Sequence, residues 1–169
     1  MGFVVSVVTL LLVLPIAYAA WIGAPLVVIP KRAARRMIEA AKLKPEEVAY
    51  DLGAGTGRLM IIAKREYDRD VRGIELPPLF WFMGRVNLMV HGIRTKRLER
   101  GNFFKKDFCG ADVCFAFLMP KTMEKLKPKF EREMRKGSRV VSYAFPVAGW
   151  TPERIIKEEG IGAIYLYRI

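Results

Sequence analysis

Residues 48–59, Val-Ala-Tyr-Asp-Leu-Gly-Ala-Gly-Thr-Gly-Arg-Leu, leave this chain few folds to choose from. An apolar run ends in Asp51, glycines follow at 53, 55 and 57, and a helical pattern opens at Arg58. Strand, glycine turn, helix is the repeating unit of a doubly wound α/β sheet. Glycines take positive φ without strain and let a ligand approach the main chain closely. The start of the following helix offers unpaired N–H groups to a carboxylate. A dinucleotide site would need G-x-G-x-x-G to seat a pyrophosphate. The spacing here is Asp-x-Gly-x-Gly-x-Gly, a different device. The plain alternative is a glycine-rich connection that holds nothing.

Val71-Arg72-Gly73-Ile74-Glu75 reads as the next parallel strand. An acid about 20 residues beyond such a turn takes ribose hydroxyls in doubly wound sheets, and a carboxylate has the lone pairs to accept from two of them. The alternative for Glu75 is a solvated strand end. Downstream, residues 98–104 form a short third strand closing on Gly101-Asn102-Phe103, residues 112–118 a buried fourth, and residues 139–145 a fifth. Residues 121–136 are helical, with a break or restart expected at Pro128. The tail reads as two strands, 154–158 and 163–169, around Gly160-Ile161-Gly162. The expected fold is therefore α/β, a seven-stranded, mostly parallel sheet ending in an antiparallel hairpin. Pro77-Pro78 opens a helix apolar all round its first half, from Leu79 to Met83, which suits either core and ligand-cover packing or a membrane-facing patch.

Residues 1–30 carry no charged side chain. Residues 2–22 supply the roughly 20 apolar residues that a helix needs to cross a bilayer, with Tyr18 and Trp21 near one end as interface anchors. A signal peptide and a buried hairpin are the alternatives. Lys31, Arg32, Arg35 and Arg36 follow at once on adjacent helical turns. Basic residues beside a span stay cytoplasmic and touch anionic headgroups. The expectation is an anchor over residues 1–29, a domain over residues 30–169 and a single-pass membrane protein with that domain in the cytoplasm.

The 169 residues include 29 Lys+Arg against 17 Asp+Glu, a net charge of +12 that lies wholly beyond residue 30. Such a charge favours anionic partners without choosing among them. Cys109 and Cys114 are too few for a disulfide framework, and the lone histidine, His91, leaves no metal site. Gln is absent and Asn occurs only at 87 and 102, a thermophile-like avoidance of labile amides. Aromatic residues are not interleaved with the basic clusters as base-stacking platforms would be, so nucleic acid is a weak partner.

Asp51-x-Gly53-x-Gly55-x-Gly57 resembles the first motif of class I S-adenosylmethionine (SAM) methyltransferases. Gly101-Asn102-Phe103-Phe104, Phe117-Leu118-Met119-Pro120, Arg139-Val140-Val141-Ser142 and then Phe145-Pro146 with Gly149-Trp150-Thr151-Pro152 narrow the likeness. Together they resemble small archaeal protein-lysine methyltransferases. They are also similar to the membrane-anchored mitochondrial enzymes that methylate lysines of the ATP synthase c subunit and the adenine nucleotide translocase. The resemblance implies SAM held by Asp51, Gly53, Ala54, Gly55, Gly57, Glu75, Asn102 and Phe103. It implies a lysine acceptor on a membrane or membrane-associated protein. Tyr143, Phe145 and Trp150 are the expected aromatic slot for its amine, and Pro120 is expected to present a carbonyl near the methyl group. No general base is assigned. Soluble archaeal relatives begin with a Pro-rich segment where this chain has residues 25–30, and some carry a polar pair where Tyr143-Ala144 stands. A lipid or quinone methyltransferase and an RNA methyltransferase are the competing readings.

Overall fold

The computed structural model describes residues 28–169. Its helices are α1 (Lys31–Ala41), α2 (Arg58–Tyr67), α3 (Pro78–Val90) and α4 (Pro120–Glu133). Its strands are β1 (Ala49–Leu52), β2 (Val71–Glu75), β3 (Leu98–Arg100), β4 (Val113–Ala116), β5 (Arg139–Tyr143), β6 (Arg154–Ile156) and β7 (Ile164–Arg168). All seven strands join one sheet in the order β3-β2-β1-β4-β5-β7-β6. β7 runs antiparallel to both its neighbours, and the pairs from β3 through to β5 are parallel. The expected sheet and its terminal antiparallel pairing are both present.

The central strands are buried on both faces, which is why they read as unbroken apolar runs. Ala49, Val113, Phe115 and Val141 belong to one core cluster, with Met37 and Ile38 of α1, Leu59 and Ile62 of α2 and Leu88 of α3. Tyr50, Leu52, Cys114 and Val140 belong to the other, with Met123, Leu126 and Phe130 of α4. β1 lies between β2 and β4, so the winding of the sheet reverses beside it. Ligands of open α/β sheets bind outside the carboxyl ends of the strands at such a point.

Several expectations need correcting. α4 runs unbroken through Pro128. Pro128 and Glu124, the residue whose carbonyl loses its helical partner, are both exposed, so water replaces the missing bond. Met123 and Leu126 before it and Phe130 after it hold both halves on the core. The third strand stops at Arg100, and Phe103–Lys105 forms a 3₁₀ turn in its place. Asn102 drives this by accepting from the Phe104 amide at 2.9 Å, an Asx turn.

The expected single-pass localisation is also overturned. Among the described residues no helix is long and apolar enough to cross a membrane. α3 and α4, with 13 and 14 residues, are about 20 Å long, short of a hydrocarbon core of about 30 Å. The expected span, residues 2–22, lies outside the described residues. The basic cluster is committed elsewhere as well. Arg35 forks onto Glu66 at 2.6 and 2.9 Å. Arg36 bonds Glu158 at 2.7 Å and Glu39 at 2.9 Å, and Arg32 pairs with the same Glu158. Three of the four cations assigned to headgroups thus fasten α1 to α2 and to the β6–β7 connection, while Lys31 is exposed.

Candidate active site

β1 ends at Leu52, and the chain reverses through Gly53, Gly55 and Gly57 at φ 74°, 54° and 75°. L side chains are strained in this left-handed region, so the alternate glycines are required by the turn. Gly53 and Ala54 N–H both donate to Ile74 O, at 3.0 and 3.1 Å. The Gly55 N–H donates to Glu75 Oε2 at 2.6 Å. The turn is therefore pinned to the end of β2, and the first N–H groups of α2 follow it without intrahelical partners.

Two carboxylates, Asp51 and Glu75, lie buried beside this turn. Burial pushes the Asp51 carboxyl up to about 7, and the nearby Glu75 charge adds to the rise. Glu75 is also raised by burial, against the pull of the Gly55 and Leu76 N–H donors.

These groups line a cleft of about 420 Å³, within the range of small-molecule sites. Asp51, Gly53, Ala54, Gly55, Glu75, Asn102, Phe103 and Phe145 all reach it. Gly57 stands one layer back, where an added Cβ would meet Leu88 at 3.4 Å. Pro120 opens α4 just behind the cleft, and its neighbours Met119 and Thr122 are the residues that line it.

Tyr143 and Trp150 lie outside the cleft wall. The Tyr143 hydroxyl accepts from the Gly162 N–H at 3.0 Å, tying β5 to the turn before β7. Trp150 packs against Phe130 and Tyr167 with centroids 6.2 and 5.4 Å apart, and its Nε1–H donates to Glu131 at 2.7 Å. Each has its polar atom satisfied by a structural partner.

Sequence reasoning missed Phe117, Met119 and Ala144, three cleft residues just past the ends of β4 and β5. Phe117 stacks on Phe145 at 6.5 Å and 19° and meets Tyr143 edge-on at 4.8 Å. Ser142 Oγ donates to the Phe145 carbonyl at 2.6 Å and so fixes that residue's main chain. Ala144 sits at φ 66°, strained for a residue with a Cβ. The available signal was positional: the residues just beyond each parallel strand's carboxyl end.

The strand order, the reversed last strand and an acid–glycine turn–acid arrangement at the switch point define a class I methyltransferase. Residues 51–154 match the family model described as the ANTKMT methyltransferase domain, and the chain belongs to that family. It is 36% identical over 150 residues to a protein-lysine N-methyltransferase of Saccharolobus islandicus, covering 86% of this chain and 93% of that protein. It is 31% identical over 124 residues to the adenine nucleotide translocase lysine N-methyltransferase of Mus musculus, covering 70% of this chain and spanning about half, 52%, of that protein's length. A crystal structure described as an RNA methyltransferase from Salinibacter ruber with S-adenosyl-L-homocysteine matches with TM-score 0.78 and 32% identity, over 85% of this chain and 94% of that one. The chain is a SAM-dependent methyltransferase. Its own residues fit that cofactor: buried carboxylates suit a diol and a cation, and the glycine turn, without side chains at 53 and 55, lets a ligand come close to the main chain.

Proposed function

We propose that the chain methylates the ε-amine of lysine in a protein. The observation that carries this reading is the charge of the cleft. Among the described residues it is lined by Asp51 and Glu75, by the rings of Phe117 and Phe145, and by a single cation, Arg58, whose Nη1 is already bound to Ile29 O at 2.8 Å. Such a cleft favours an acceptor that gains positive charge and disfavours a phosphate backbone. Lysine is the acceptor named for the archaeal and mouse relatives, which supports the same choice.

SAM supplies an electrophilic methyl group on a sulfonium. In our reading the main chain of Gly53, Ala54 and Gly55 would line its amino-acid end, and the first N–H groups of α2 would face its carboxylate. Glu75 would accept from its ribose hydroxyls with the lone pairs that its bond to Gly55 leaves. Asn102 and Phe103 flank its adenine, and Asp51 balances its cationic end. Phe117 and Phe145 form the acceptor wall. An apolar passage lowers the pKa of an entering ammonium, and π faces stabilise the cation that methylation restores. Alignment of donor and acceptor is worth about 7–11 kcal/mol in such reactions, so the chain's main task is positioning.

The Salinibacter ruber neighbour and the net charge of +12 favour a second reading, RNA methylation. The cleft's charge speaks against it. The expectation that the acceptor protein is membrane-associated came from the resemblance and the anchor; the ion pairs of the basic cluster withdraw one support for the anchor, and the expected span lies outside the described residues. Incubation with radiolabelled SAM and a cell extract, followed by separation of protein, RNA and lipid, tests the proposal. Methyl-lysine identified by mass spectrometry supports it, and label confined to RNA or lipid overturns it.

A further inference from the structure

α3 is inverted relative to an ordinary surface helix. Successive residues advance about 100° around a helix, so Leu79, Phe82, Met83, Val86, Met89 and Val90 share one face. That face points to solvent, with Phe82, Met89 and Val90 exposed at 60%, 64% and 75%. The opposite face, Phe80, Gly84 and Leu88, is buried. The helix's polar side chains turn toward the protein instead. Arg85 lies over the Trp81 ring at 5.1 Å and donates to Thr95 Oγ1 at 3.0 Å, and Asn87 Nδ2 donates to Thr56 O at 2.9 Å. A helix apolar on all sides belongs in an interior, and a contiguous exposed apolar face marks an interaction surface.

α3 starts at the active-site mouth, where Leu76 and Pro77, the two residues before it, line the cleft. Leu76 is exposed and lines the cleft, as do Val28, Phe104 and Met119, and Phe80 of α3 is part of the cleft wall. A lysine reaches inward on a four-carbon stem, so the residues flanking it must rest on this apolar rim. Apolar flanks bury against it.

Resting on the lysine reading above, we infer that α3 docks the acceptor polypeptide, so that the enzyme selects lysines whose flanking residues are apolar. The selection comes from ground-state contacts away from the reacting atoms, and it acts on KM.

The test uses the full chain, SAM and two single-lysine peptides of equal length. One carries leucines at the positions i±3 and i±4 around the lysine, the other glutamates there. The leucine peptide should show kcat/KM at least about tenfold higher, with the difference in KM. The double variant Phe82→Ser, Met83→Ser should erase that advantage while leaving the glutamate peptide's constants and SAM affinity unchanged. Equal kcat/KM for the two peptides, or an advantage that survives the double variant, overturns the inference and leaves the lysine reading standing. Methylation of neither peptide and of no protein lysine in an extract removes both together. A photo-crosslinking residue at position 82 should capture the leucine peptide. Capture instead of a second copy, of residues 1–27, or of lipid from phosphatidylcholine–phosphatidylglycerol vesicles would overturn the inference.

Discussion

The Gly55 N–H donates to Glu75 Oε2 at 2.6 Å, joining the glycine turn to a carboxylate 20 residues further along the chain. One side chain thus shapes the turn while standing at the end of the strand beside it. Glu75→Gln keeps the size of the group and removes its charge. It should weaken SAM binding about 10- to 100-fold, the worth of hydrogen bonds to a charged group, with little change in thermal stability. Titration calorimetry and a melting curve check this, and unchanged affinity would move the ribose away from Glu75.

The ligand-free protein carries a stability cost at Asp51. Its carboxyl sits near 3.8 ordinarily and is pushed up to about 7 here by burial and by the Glu75 charge. Between those values the native state holds a proton that the unfolded chain has released, so this contribution is lost as pH rises and levels off above about 7. Glu75, also raised, acts with the same sign. Asp51→Asn should therefore melt higher than the parent without cofactor, by a margin that widens up to about pH 7 and then stays constant. Melts at stepped pH measure it. The same variant should bind SAM more weakly.

Arg139 fastens α1 to the sheet from inside. Nη2 meets Glu47 Oε1 at 2.5 Å, Nη1 donates to Ala41 O at 2.6 Å, and Nε is buried without a partner. Arg139→Ala would strand Glu47 and the last carbonyls of α1, and should cost about 3 kcal/mol in urea unfolding. Replacing the pair together, Arg139→Met with Glu47→Leu, should recover most of that loss.

Trp150→Ala should be a stability variant. It removes packing on Phe130 and Tyr167 and the bond to Glu131. A loss of about 2 kcal/mol is expected for a partly buried aromatic. Below the melting temperature, kcat/KM for a lysine substrate should stay within about twofold of the parent. A drop in kcat at full folding would return Trp150 to the acceptor side.

Residues whose role is local were legible in the sequence. Asp51, the alternate glycines and Glu75 announce themselves because strand, turn and acid follow one another along the chain. The apolar runs of β4 and β5 reveal buried parallel strands for the same reason. Trp150 and Tyr143 were not legible. The partners that fix them, Glu131 and Gly162, are 19 residues away in each case, and no local pattern reports the direction of a ring. α3 shows a third limit. Its apolar residues surround the helix in sequence, and periodicity does not reveal which side the sheet covers. The basic cluster at 31–36 likewise reads as a free charged face until Glu66 and Glu158 arrive from distant elements.

Gly84 is the point where α3 meets the glycine turn. A Cβ there would lie 2.7 Å from Gly55 O and 2.6 Å from Leu98 Cδ2. Main chain rests on main chain, with no side chain between to absorb a displacement. The helix and the turn beside the cleft therefore bear directly on one another, as the two arms of one lever. Ligands on its two ends should report on each other reciprocally: if a bound leucine peptide tightens SAM by some factor, SAM must tighten the peptide equally. Paired calorimetric titrations read both factors, and Gly84→Ala, by wedging the lever, should weaken both affinities at once.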